Sequence, residues 1–209
     1  MNSATLRQTI AGPCGPVECA IDAPAAGVTA RGVAVLCHPH PQHGGTLDNK
    51  VVQTMARAFV QLGYRAVRFN FRGVGGSAGV WDEGRGEIDD ALAVVAAFRE
   101  PGLPLALGGF SFGGYVASRA AAALPGTAPA ERLLLIAPAV LNFPMAAVPA
   151  LPADTVLIHG EADDVVPLSA VLDWARPAVL PVTVVPGSGH FFHGQLSLLK
   201  TLITGAWHP

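Results

Sequence analysis

Leu105-Ala106-Leu107-Gly108-Gly109-Phe110-Ser111-Phe112-Gly113-Gly114-Tyr115 is the stretch around which the chain is organised. The apolar run Leu105 to Leu107 suits a buried strand and stops at glycines, and an alanine-rich helix, Tyr115 to Leu124, is expected beyond it. Between them Gly109, Ser111 and Gly113 fit G-x-S-x-G, a sharp strand-to-helix turn that pushes a hydroxyl out above a sheet. A side chain at either flanking position would collide with the neighbouring strand or helix, and the turn needs backbone angles that glycine tolerates best. The helix start behind the serine supplies free N–H groups and the positive end of a dipole, which favour negative charge. A tight glycine-rich turn with a capping serine would look the same locally. The meaning of Ser111 therefore depends on what the rest of the chain sets beside it.

The chain has 209 residues, enough for one sizeable core, so a single domain over 1–209 is the expectation. Hydrophobic residues make up 51% and charged residues 13%, which excludes a disordered chain. Net charge is −2 with no basic cluster, so neither nucleic acid nor an anionic membrane surface is expected as a partner. Met1 to Ile10 lacks a basic region followed by an apolar stretch, and no signal peptide is expected. No apolar run approaches the roughly 20 residues that span a bilayer. Three cysteines, Cys14, Cys19 and Cys37, without a secretion signal favour free thiols in a cytoplasmic location. A homodimer is left open.

Taken in order, Thr5 to Ile10 and Val17 to Ile21 flank Gly-Pro-Cys-Gly-Pro and predict an antiparallel hairpin. Arg31 to Cys37 predicts a strand buried on both faces, ended by His38-Pro39-His40-Pro41, where the prolines forbid a central strand. Asp48 is placed to cap a helix to about Leu62, with Val51, Val52, Met55 and Phe59 on its apolar face. Ala66 to Phe71 is the next strand, and Arg72 to Gly79 a glycine-rich loop. Glu87 to Arg99 reads as a helix burying Ile88, Leu92, Val95 and Phe98. Beyond the central stretch come strands at Arg132 to Ala137 and Thr155 to His159, a helix Pro167 to Ala175, a last strand Val182 to Val185 and a closing helix Phe192 to Thr204. Alternating strands and helices imply an α/β fold: a mostly parallel sheet, covered on both faces, with ligands bound at the carboxyl ends of its strands. Pro138 to Asp154 stands where a cap could be inserted but is too short for a substantial one.

A serine becomes a nucleophile only when a base takes its proton. Among seven histidines, His190 follows the last strand in Pro-Gly-Ser-Gly-His, on the same rim of the sheet as Ser111. His193 is the second choice, one turn into the closing helix, and His159 is expected to be a packed or loop-bonding residue. Gly160-Glu161-Ala162-Asp163-Asp164 offers acids to orient the base, with Asp163 chosen and Asp164 the alternative. Negative charge developing on a substrate needs backbone donors, of which Phe112 is one. Within Pro39-His40-Pro41 only His40 has an N–H, so its amide is the second candidate. A rival use of His38, His40 and His43 is zinc binding, since His-x-His can put two imidazoles on one face. The intervening prolines break that geometry, so no metal and no cofactor are expected. Phe110, Phe112, Phe191, Leu47 and Val74 are candidate apolar walls for a substrate, with the core the better assignment for Phe110.

Three segments carry a resemblance to a known family: Gly-Phe-Ser-Phe-Gly-Gly (109–114), His-Gly-Glu-Ala-Asp-Asp-Val-Val-Pro (159–167) and Gly-Ser-Gly-His-Phe-Phe (187–192). With them, the chain resembles the α/β-hydrolase superfamily along nearly its whole length, in the order serine, acid, histidine. His38 to Lys50 and Phe71 to Ser77 resemble a narrower group of small, cap-poor bacterial hydrolases related to serine esterases and dienelactone-hydrolase-like proteins. The family's usual Gly-x-x-Asp-x-x-Val-Pro sets the acid four residues before the proline, as Asp163 stands here. Many relatives have His-Gly where this chain has His38-Pro39. The resemblance implies a three-layer α/β-hydrolase fold. It also implies cleavage of small or short-chain carboxylic esters through Ser111, His190 and Asp163 and an acyl-enzyme. Thioesterase or peptidase activity would use the same triad, and a non-catalytic binding module on this fold is the alternative of a different class.

Overall fold

The computed structural model of the protein describes residues 5–145 and 151–207. The sequence expectations for residues 1–4, and for 146–150 within the segment where a cap could be inserted, lie outside them.

Eight strands form one sheet in the order β1-β2-β4-β3-β5-β6-β7-β8. β1 (Leu6–Gly12) and β2 (Gly15–Asp22) make the expected hairpin, and β2 pairs antiparallel with β4 (Tyr64–Phe69). From there β3 (Gly32–Cys37), β5 (Leu105–Phe110), β6 (Arg132–Ile136), β7 (Asp154–Gly160) and β8 (Thr183–Val185) run parallel. The apolar runs were read as buried on both faces, and the alternation of the pleat shows why they must be. Val33, Val35 and Cys37 of β3 and Leu133 and Leu135 of β6 face a core shared with α2 (Arg85–Phe98) and α3 (Phe112–Ala123). Ala34, Leu36, Leu134 and Ile136 face the opposite core, built with α1 (Lys50–Gln61) and α5 (Leu196–Ala206). This is a three-layer α/β arrangement with an antiparallel edge.

Several local expectations shift. Helix α1 buries Val51, Val52, Met55 and Phe59 as the periodicity requires, but its cap is Asn49 rather than Asp48. Asn49 Oδ1 accepts from the amides of Val51 (2.9 Å) and Val52 (3.4 Å). Asp48 instead meets Arg7 at 2.6 Å, and Asn49, directly before the first helical residue, takes the cap. Helix α2 buries Ala91, Val94, Val95 and Phe98, so its inner face is turned slightly from the one expected, leaving Ile88 and Leu92 half-buried. The rotation brings Asp90 inward to hold the Arg72 guanidinium through two bonds, at 3.0 and 2.9 Å. Breaking such a buried pair costs about 3–5 kcal/mol, and this one fixes the loop after β4.

The closing helix begins at Leu196, four residues later than expected. Phe192 at φ 51° and Gly194 at φ 75° both lie in the left-handed region, which no continuous right-handed helix can include. His193 is therefore an exposed loop residue and not part of a helix.

Candidate active site

Strand β5 ends at Phe110 and helix α3 starts at Phe112, leaving Ser111 alone to make the turn at φ 55°, ψ −119°. A non-glycine residue there is strained, and three backbone bonds hold it. Its N–H donates to Ile136 O (2.9 Å), and its carbonyl accepts from the amides of Gly114 (2.9 Å) and Ala139 (3.2 Å). The flanking glycines are needed for space. A Cβ on Gly109 would lie 2.0 Å from Gly113 O, and one on Gly113 would lie 2.2 Å from Cys37 O.

The acid and base loops are stitched to each other before they meet the serine. Glu161 N–H donates to Val185 O (3.0 Å), Ala162 N–H to Ser188 O (2.9 Å), and Gly187 N–H to the Glu161 carboxylate (2.9 Å). The loops approach so closely that a Cβ on Gly160 would sit 2.4 Å from Ser188 O. The three candidates thereby come together: His190 Nδ1 lies 2.7 Å from Asp163 Oδ2 and His190 Nε2 lies 3.0 Å from Ser111 Oγ. All three side chains are buried. Asp164, the alternative acid, is exposed, and His193, also exposed, meets the Phe191 ring at a tilt and does not line the cleft over the serine.

Asp163 is positioned to stay ionised. Burial works against its charge, but the His190 ring and the Val166 amide outweigh it and hold the carboxyl below its usual range. Its Oδ1 accepts from the amides of Val165 (2.9 Å) and Val166 (2.8 Å), so Oδ2 is left for the imidazole. A charged acid requires the proton on His190 Nδ1, which leaves Nε2 to accept from the serine hydroxyl. His159 lies under the same loop, fully buried, with Nε2 2.8 Å from Val166 O and 3.5 Å from Asp163 Oδ2. Burial lowers its pKa and keeps it neutral, a loop-bonding residue as read from the sequence.

The two candidate oxyanion donors border the serine. Phe112 is the first residue of α3, so its N–H has no partner within the helix. His40 N–H likewise has no hydrogen-bond acceptor among the described residues. The His40 carbonyl accepts from Gly45 (3.0 Å) and His43 (3.1 Å), which folds the segment into a short 3-10 turn, Pro41–His43. The His40 ring packs between Trp81 (4.5 Å), His43 (4.5 Å) and Phe112 (5.3 Å).

The zinc reading of the three histidines does not fit this arrangement. His38 is fully buried, accepts from the Phe71 amide at Nε2 (3.1 Å) and donates from Nδ1 to Pro39 O (2.7 Å), so both nitrogens are committed. Burial pushes its pKa down to about 4, against a weaker upward pull from the Pro39 carbonyl. The unfolded chain therefore takes up a proton below about pH 6.5 that the folded chain refuses until about pH 4, so stability falls as pH drops through that window. The loss from this one residue is up to roughly 3 kcal/mol. Urea unfolding at about pH 7 and about pH 4.5 should show a lower midpoint in acid, and His38→Asn, which cannot ionise, should shrink the difference.

A cleft of about 170 Å³ opens over Ser111 and His190, lined by Pro39, His40, His43, Gly44, Gly45, Asn49, Val165 and Phe191. Of the expected walls, Phe191 lines the cleft, whereas Leu47, Val74 and the buried Phe112 do not. Leu47 is fully buried, its backbone clamped by Asn70 Oδ1 (2.8 Å) and the Arg68 guanidinium (2.7 Å). Val74 sits in a turn closed by its own bond to Phe71 O (3.1 Å) and does not reach the cleft. Val165 was missed; the cue was an apolar side chain within a loop of acids. Phe110 is core, fully buried behind His190 at 5.0 Å.

The family model for serine aminopeptidases (S33) matches residues 29–153, a stretch that contains Ser111 and ends just before β7. The chain is 30% identical over 174 residues to an uncharacterized protein of Rickettsia prowazekii (strain Madrid E), across 77% of this chain and 71% of that protein. A solved α/β serine hydrolase without a lid from Xanthomonas campestris is 42% identical, covering 99% of this chain and 94% of that one, with a TM-score of 0.87. An α/β serine hydrolase homologue from Coxiella burnetii is 37% identical, covering 97% of each chain, with a TM-score of 0.87.

Proposed function

Since this chain belongs to the α/β serine hydrolase family, we propose that it cleaves small or short-chain carboxylic esters by two-step acyl transfer. The reading rests on the hydrogen-bonded series Ser111–His190–Asp163 at the floor of an open cleft. In this mechanism Ser111 Oγ attacks the ester carbonyl while His190 Nε2 takes its proton, and ionised Asp163 stabilises the imidazolium. The amides of Phe112 and His40 receive the oxyanion, each donor being worth about 3 kcal/mol or roughly a hundredfold in rate. The tetrahedral adduct collapses as His190 returns the proton to the leaving oxygen. Water, deprotonated by the same imidazole, then attacks the acyl-enzyme and releases the acid.

Peptide hydrolysis is the second reading, favoured by the name of the matching family model. An aminopeptidase must hold a substrate ammonium, and among the described residues no carboxylate lines the cleft. That favours a neutral ester. The cleft is also smaller than the roughly 300 Å³ at which drug-sized ligand pockets begin, which argues for a small acyl group.

A panel of nitrophenyl esters of increasing acyl length tests this, alongside thioesters and aminoacyl anilides. kcat/KM should be highest for short acyl groups and fall beyond about eight carbons, with anilides cut far more slowly. Activity rising steadily with acyl length, or anilides cut as fast as esters, would overturn the assignment.

A further inference from the structure

Whatever acyl group is held, the leaving alcohol must accept its proton from His190 Nε2, so the alcohol half of the substrate passes beside that ring. Two cleft-lining residues are chain neighbours of the base and the acid. Phe191 follows His190 directly, and its ring stands edge-on to the imidazole at 5.1 Å. Val165 is two residues beyond Asp163, which holds the Val165 amide at 2.9 Å. Both are large apolar side chains left wet, Phe191 at 43% and Val165 at 49% exposure, in a chain that buries nearly all its other phenylalanines.

Neither is loose. The Phe191 ring is backed by Phe110 at 5.8 Å, and Val165 is fixed through its backbone to the acid. Rigid apolar faces that water still covers are suited to binding, because little conformational freedom is lost when a ligand displaces that water. An aromatic wall also gives edge or offset contact to a second ring. No lysine, arginine or carboxylate lines the cleft among the described residues, so nothing there would neutralise a charged alcohol.

We propose that Phe191 and Val165 form the leaving-group subsite and that the enzyme selects esters of apolar, preferably aromatic, alcohols. This rests on the serine-esterase reading above. Butanoate esters of ethanol, cyclohexylmethanol and benzyl alcohol keep one acyl group and vary only the alcohol. Wild type should favour the benzyl over the ethyl ester by about tenfold or more in kcat/KM, with cyclohexylmethyl between them. Phe191→Ser and Val165→Ser should each shrink that ratio severalfold, and Phe191→Leu should restore part of it. A merely structural disturbance of His190 would slow all three esters together and leave the ratio unchanged. An ethyl-to-benzyl ratio near one in wild type, or a ratio unaltered in both serine variants, overturns the subsite while leaving the esterase reading standing. Failure of wild type to cleave any of the three esters defeats the esterase reading itself, and the subsite with it.

Discussion

Ser111→Ala should no longer be labelled by a fluorophosphonate probe and should lose roughly five to six orders of magnitude in hydrolysis of an activated short-chain ester. The loss is so large because the remaining groups can only bind and polarise; none can form the covalent acyl intermediate. The substitution is also clean. Ser111 already occupies φ 55°, and its N–H and carbonyl bonds come from the backbone, so alanine inherits the same strain and the same support. Thermal melts of the two proteins should therefore nearly coincide. Equal labelling of both would remove Ser111 from the mechanism.

Asp163→Asn should lower kcat by about ten-thousandfold while the protein remains folded. The asparagine oxygen can still accept from the Val165 and Val166 amides, as Asp163 Oδ1 does. Its NH₂ then faces His190 Nδ1 and forces that nitrogen to accept, which puts the imidazole proton on Nε2. In that tautomer the ring cannot take the Ser111 proton. Asp164→Asn is the matched control, since Asp164 is exposed and makes no bond to the base, and its rate should match wild type. If the two variants behaved alike, the choice of acid would fail.

Much of this arrangement was legible from the residues. Short continuous apolar runs implied strands buried on both faces of a covered sheet, and G-x-S-x-G, Asp163 and His190 each followed a strand, on one rim. What was not legible depended on partners distant in sequence. Asp48 and Asn49 are equally good caps in isolation, and only the approach of Arg7 and Arg68 to Asp48 leaves the role to Asn49. Leu47 was a candidate wall on its apolar side chain alone. Arg68 and Asn70 turn its backbone inward, and no local pattern records that. The late start of α5 follows from left-handed angles at Phe192, an aromatic residue that seldom adopts them.

The base rests on the weakest timber of the sheet. β8 is three residues long, lies at the outer edge and pairs with β7 alone, whereas Ser111 directly follows β5, which is paired on both sides by β3 and β6. Short, half-wetted edge segments open at lower free energy than the central strands. Opening β8 would carry His190 away from a serine 79 residues earlier in the chain while the central strands stay paired. On warming, hydrolysis should therefore fall before the far-UV signal of the whole sheet does, and should return on cooling, which parallel activity and circular dichroism measurements over one temperature ramp would check.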